Sequence, residues 1–188
     1  MQIDKTSFSD ISIFHQEEEF SIFHKLNFTR TVAGKEWLRK YFTEPHDDLE
    51  RIIGTQRIIR TLMEHVNDWP TDISNGTILV MDKFLDYNLD PVPEKPSSFN
   101  SVMYQWLHNA DYSMTKYSIP HFADFFRGLK NILVLLEELD LPKAMRIYID
   151  RISSLLKETP FKRMAESDKT KKLTRVENLY YALHIRNR

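Results

Sequence analysis

Four side chains near the N-terminus, His15, Glu18, Glu19 and His24, are of types that bind divalent metals. Helical zinc sites place two ligands four residues apart on one face, whereas these two histidines stand nine positions apart. A solvated acidic helix start is the better reading. His46-Asp47-Asp48 has a similar look, but acids just ahead of a helix cap its free N–H groups. Lys162, Arg163, Lys169, Lys171, Lys172 and Arg175 form a basic cluster that could meet nucleic-acid phosphates. Glu166, Asp168 and Glu177 dilute it and no aromatic residues interleave it, so a solvated surface is the default. Within it Lys162, Arg163, Lys171, Lys172 and Arg175 are the candidates for a weak DNA contact.

The chain has no cysteine, which removes thiol nucleophiles, thiolate metal sites and disulfides, and fits a reducing, cytoplasmic setting. Its four glycines, Gly34, Gly54, Gly76 and Gly128, are dispersed, and no G-x-x-x-x-G-K-[ST] phosphate loop occurs. No nucleophile–base–acid spacing stands out. The sequence therefore assigns no catalytic, cofactor-binding or metal-ligating residue, and the expected molecule is not an enzyme.

The elements around these residues read as helices. In 188 residues, 41% are hydrophobic and 28% charged, an ordinary globular balance. Scarce glycine disfavours a turn-rich β fold. Asp10 to Phe14 alternates like a short strand or an extended lead-in, and a helix is expected from Glu17 with Phe20, Phe23 and Leu26 on one stripe. Trp37, Leu38, Tyr41 and Phe42 predict a helix from Val32 that ends near Pro45. Asp47, with Glu50 three residues on, should cap the next helix. Its Leu49, Ile52, Gln56, Ile59, Met63 and Val66 recur at alternating three- and four-residue spacings, a packing seam.

A helix over 77–88 should turn Met81, Phe84 and Leu85 inward, and Ser98 should cap one carrying Val102, Met103, Trp106 and Leu107. Pro120 suits the first position of a long helix whose apolar face is Phe122, Phe125, Phe126, Leu129, Leu133, Leu136 and Leu139. That phenylalanine-rich face reads as packed core rather than a ligand cavity. A further helix holds Met145, Ile149, Ile152 and Leu156 and ends near Pro160. After a polar loop from Ala165 to Lys172, a last one holds Leu173, Val176, Leu179, Tyr180 and Leu183. The expected fold is all-α, a multi-helix bundle of long packed helices, with one short N-terminal strand as the only candidate exception. The expected organisation is a helical part over 1–90, a proline-rich linker over 91–98, and a long-helix part over 99–188 within the same domain. No apolar run reaches the ~20 residues of a spanning helix, and a formal net charge of −1 gives no global pull toward nucleic acid.

One segment resembles a known family. Leu26-Asn27-Phe28-Thr29-Arg30-Thr31-Val32-Ala33-Gly34, continued by Leu38, Phe42 and Pro45, is similar to the opening of the core, or lever, domain of MutS-type DNA mismatch-repair proteins. Their pattern is L-[ND]-x-T-x-T-x-x-G and then L-x-x-x-[LF]-x-x-P. Asp48, Ile52 and Gln56-Arg57 resemble the next helix, with the family's Arg-Gln order reversed, and Asp10 to Phe14 resembles its D-L-E-I-F lead-in. The likeness runs from about Asp10 to Leu62. Phe42-Thr43-Glu44 matches the family's mismatch-reading Phe-x-Glu only in letters, because it lies inside the core motif.

The resemblance implies a non-catalytic lever module of a short MutS-like protein, relaying nucleotide state to DNA-binding parts. Asn27, Thr29, Thr31, Gly34, Leu38, Pro45 and Arg57 would be structural members of its corner. It also implies partners: a C-terminal ATPase domain of the same protein, a second subunit, and DNA in the assembled parent, with no membrane. ATP and magnesium would belong to that ATPase, and no cofactor to this chain. A stand-alone helical adaptor for other proteins is the alternative.

Overall fold

The computed structural model describes residues 12–15, 17–168 and 172–187. Among them are nine α-helices and no strand. They are α1 (Ile22–Leu26), α2 (Val32–Thr43), α3 (Leu49–Glu64), α4 (Asn75–Asp86), α5 (Ser98–Leu107), α6 (Asn109–Glu137), α7 (Lys143–Lys157), α8 (Thr159–Glu166) and α9 (Arg175–Arg186). The chain divides into two compact units, Met1–Glu64 and His65–Arg188, so the proline-rich stretch 91–98 lies inside the second. Among the described residues no helix is long and apolar enough to cross a membrane.

The first unit is organised by three phenylalanines. Phe14 and Phe23 lie 5.2 Å apart between ring centroids, and Phe42 of α2 meets Phe23 edge-on at 5.9 Å and Phe14 at 6.4 Å. The Arg39 guanidinium sits 4.7 Å from the Phe14 centroid, a cation–π contact that closes the cluster. Ser21 locks the approach: its hydroxyl donates to the Ile13 carbonyl at 2.7 Å and accepts the N–H of His24. That cap breaks the helix expected from Glu17 into a short 3-10 turn, Glu18–Phe20, and α1; Phe23 is buried, but Phe20 and Leu26 stay exposed. The strand expected over Asp10–Phe14 does not form in its described part. Residues 12–14 make a turn, with Ser12 at φ 50°.

α3 begins one residue later than its acids suggest, because Asp48 rather than Asp47 accepts the N–H of Glu50, at 2.9 Å. It buries no residue, and most of its seam, Leu49, Ile52, Ile59 and Met63, is exposed.

In the second unit α6, 29 residues long, is the axis against which α4, α5, α7, α8 and α9 pack. Its buried stripe runs through Tyr112, Thr115, Ile119, Phe122 and Phe126. Phe84 of α4 meets Phe122 edge-on at 5.4 Å, and Phe161 of α8 stacks on Phe126 at 4.7 Å. Pro120 therefore lies inside α6 and does not open it. Proline denies the Lys116 carbonyl its helical partner, but Lys116 and Pro120 are both exposed, so water can serve that carbonyl while the buried stripe holds the helix together.

Two further expectations are corrected, and a third is extended. α5 is capped by Ser97, not Ser98, in a reciprocal box with Asn100. Leu85 of α4 points outward, while Phe84 is fully buried. The helix expected to end near Pro160 does so, at Lys157, but Pro160 then lies in the first turn of a further helix, α8, where proline costs no hydrogen bond. Phe161, Met164 and Ala165 then seal the core.

Candidate functional site

The family-like motif folds into a corner between α1 and α2. Thr31 is the N-cap of α2, and its hydroxyl accepts the N–H of Gly34 at 3.0 Å. The Thr29 hydroxyl donates to Asn27 Oδ1 at 2.6 Å, holding the entering chain in a tight polar turn. A side chain at Gly34 would put its Cβ 3.0 Å from Thr31 Oγ1 and 3.4 Å from Thr29 Cβ, so glycine here leaves room for both threonines. Leu38 is half-buried on α2, Pro45 is exposed after its end, and Arg57 is exposed on α3. Beside Pro45 a groove of about 420 Å³ is lined by Trp37, Tyr41, His46 and Arg51 among others. His46 meets Tyr41 edge-on at 5.8 Å, and Asp48 is used as a helix cap. Of the N-terminal quartet, the Glu18 side chain lies outside the described residues.

The basic cluster is brought together only in part. Lys172 and Arg175 line a groove of about 770 Å³ that also holds Lys116, Arg127, Asp124 and Asp168. Lys162 and Arg163 are exposed on α8 and do not line it; Lys169 and Lys171 lie outside the described residues. Two of the groove's cations serve the fold. Arg127 donates to Asp124 Oδ1 at 2.6 Å and to the Ser167 carbonyl at 3.0 Å, and Arg175 Nε donates to Gln105 Oε1 at 2.5 Å. The start of α9 is closed as well: Glu177 accepts the Thr174 N–H at 2.7 Å, and Thr174 accepts that of Glu177. A phosphate would have to displace that carboxylate to reach the helix N-terminus.

Spacing gave no sign of a third group. Asp90, His108 and Asp111 come together where the chain enters α6, with one ligand-type atom of each within 4.8 Å of the others. Asp111 is buried, accepting the Tyr87 hydroxyl at 3.2 Å and the Asp90 N–H at 3.0 Å. His108 Nδ1 lies 2.7 Å from Asp90 Oδ2, and the Tyr104 hydroxyl donates to the Asp90 carbonyl at 3.0 Å. These three are the residues that could hold a cation among the described ones. Both oxygens of Asp111 are already hydrogen-bonded, however, and the group works as a latch tying residues 87–90 to α6. The local charge is legible in the tyrosines. The hydrogen bond to Asp111 raises the Tyr87 pKa, and burial, reinforced by the charges of Asp111 and Asp90, pushes Tyr104 up to about 12.

Comparison with protein-family models, with curated proteins and with solved structures yields no match for this chain.

Proposed function

We propose that this chain is the core, or lever, module of a MutS-like protein and does no chemistry itself. The supporting observation is the meeting of two parts of the family-like pattern. Phe14, at the end of the lead-in, and Phe42, in the helix of the motif, join Phe23 in one aromatic cluster, while Thr31 and Gly34 make the corner between them. The motif residues thus have an architectural use in this fold. Continuous packing along α6 suits a rigid element, since packed interfaces shift between discrete arrangements rather than deforming smoothly. In this reading the nucleotide site, with its ATP and magnesium, belongs to an ATPase domain of the parent protein, and DNA and a second subunit are partners of the assembly. A cytoplasmic location goes with it.

The experiment is made on the native polypeptide purified from its source. If it carries a phosphate-loop ATPase beyond Arg188, and Gly34→Val leaves basal ATP turnover intact while abolishing its response to DNA, the lever reading stands. A native polypeptide with no phosphate loop and no ATP turnover refutes it. The second reading, an adaptor for other proteins, is favoured by the exposed apolar residues of α3, and such a native chain would support it.

A further inference from the structure

We infer that α5 is a self-association surface through which two copies of this chain pair with their α5 helices antiparallel. This inference is independent of the lever reading. One face of α5 is spent on the fold, with Ser101 and Tyr104 buried against α6 and α9. The opposite face carries Phe99, 79% exposed, and Trp106, 80% exposed, with Val102, Met103 and Leu107 about half exposed between and beside them. The spacing is i, i+3, i+4, i+7, a straight apolar stripe about 10 Å long. With aromatic side chains offering ~150–250 Å² each, the stripe leaves roughly 500 Å² of apolar surface open. The largest apolar patch on a monomer is ~300–600 Å² and is often functional, and this area matches the apolar share of the ~800 Å² each partner gives to a standard interface.

The pattern selects the occupant. An antiparallel pair centred between Val102 and Met103 sets Phe99 against the partner's Trp106, and Val102 against the partner's Met103. The two-fold axis repeats each contact. The stripe is therefore complementary to itself, aromatic to aromatic and aliphatic to thioether. From Pro96 to Ala110 there is no Asp, Glu, Lys or Arg, and the Arg175 guanidinium beside the helix is engaged by Gln105, so the stripe itself sets no like charges against each other. The same absence argues against other occupants. A lipid-binding helix is flanked by Lys and Arg that meet anionic headgroups, and a foreign protein partner is ordinarily selected by charges around the apolar contact.

Sedimentation of the 188-residue chain over a concentration series tests this, with circular dichroism confirming that each variant keeps its helices. The wild-type chain is expected to dimerise at about micromolar concentration. Phe99→Glu and Trp106→Arg, both at exposed positions, should each weaken self-association at least tenfold. A one-to-one mixture of the two variants should recover a dimer. Only the antiparallel register places the carboxylate introduced by Phe99→Glu in one copy against the guanidinium introduced by Trp106→Arg in the other, while restoring one native Phe–Trp pair. A chain that stays monomeric at high concentration overturns the proposal. So does a dimer indifferent to both substitutions, or a mixture that recovers nothing. Binding of the monomer to anionic vesicles, lost with Trp106→Arg, would also overturn it by assigning the stripe to a lipid surface.

Discussion

Gly128 on α6 faces Ile73 so closely that a Cβ built on the glycine would lie 2.5 Å from Ile73 Cγ1 and 3.2 Å from Asp72 Cβ. The segment entering α4 therefore crosses α6 at its one glycine, and Asn131, a turn further on, holds it there by donating to Asp72 Oδ2 at 2.9 Å. Glycine in mid-helix costs about 1 kcal/mol relative to alanine, and here the close crossing explains it. Gly128→Val should lower stability by about 2–3 kcal/mol, because a branched side chain must push the crossing segment away. Thermal unfolding at an unchanged midpoint would show that the crossing does not need the space.

Gly54 makes the opposite case. It lies inside α3, and a Cβ there would meet nothing within 4 Å. Gly54→Ala should stabilise α3 by about 0.5–1 kcal/mol, by restricting the unfolded chain and improving helix propensity. Slower amide exchange across 49–64 is the readout, and faster exchange would reveal a close neighbour at that position.

At Gly34 the conflict is with a cap. A branched side chain at Gly34 crowds both the Thr31 hydroxyl and Thr29, so Gly34→Val should strain the cap of α2 and cost about 1–3 kcal/mol. Thr31→Ala removes the same hydrogen bond, for about 1 kcal/mol. The double variant should then lose less than the sum of the two, because the cap can be lost only once. Strict additivity would mean that the glycine matters for some other reason.

Alkaline stability follows from the tyrosines. Tyr104 is raised from 10.0 to about 12, chiefly by burial, and Tyr87, Tyr112 and Tyr181 are raised as well. Above pH 10 the unfolded chain gives up these protons while the folded chain keeps them, so ionisation favours unfolding. The contribution is fully present below pH 10 and is lost as pH rises toward 12. The melting temperature should fall across that window, and fall less steeply in Tyr104→Phe. Tyrosinate absorbance appearing near pH 10 for all eight tyrosines of the native chain would contradict the burial argument.

Local rules made part of this molecule readable and tertiary ones hid the rest. The bounds of α2 follow from Thr31 and Pro45, and the phenylalanine stripe of α6 follows from its period, because each signal lies within a few residues of its effect. Pro120 misleads for the converse reason: local geometry favours a helix start, but the stripe buried on both sides of it carries the helix through. α8 stayed hidden because Pro160 reads as the end of a helix and the polar residues from Ala165 as a loop, and only the packing of Phe161 on Phe126 shows why Thr159–Glu166 form a helix. The Asp90–His108–Asp111 latch joins side chains 18 and 21 positions apart across a turn. No spacing rule links them. The basic cluster failed in another way, since proximity in sequence did not put Lys162 and Arg163 on the groove that holds Lys172 and Arg175.

That split bears on nucleic acid. The chain should bind duplex DNA weakly and without preference for a mismatch. Its net charge of −1 offers no steering, Arg127 and Arg175 are engaged within the fold, and the start of α9 is closed by Glu177. What binding exists should come from exposed Lys162, Arg163 and Lys172 and be sharply salt-dependent, because each phosphate contact contributes about 0.9 to the logarithmic salt slope. Lys172→Ala should reduce that slope by about one contact, and Lys162→Ala with Arg163→Ala by about two. Titrating matched and mismatched duplexes at two salt concentrations measures both quantities. Tight binding that survives moderate salt, or a clear preference for the mismatch, would mean that side chains of this chain read base edges or a distorted duplex, since phosphate contacts alone carry no sequence information. The groove between Lys116 and Arg175 would then be the first surface to mutate, because Lys172 and Arg175 face it together.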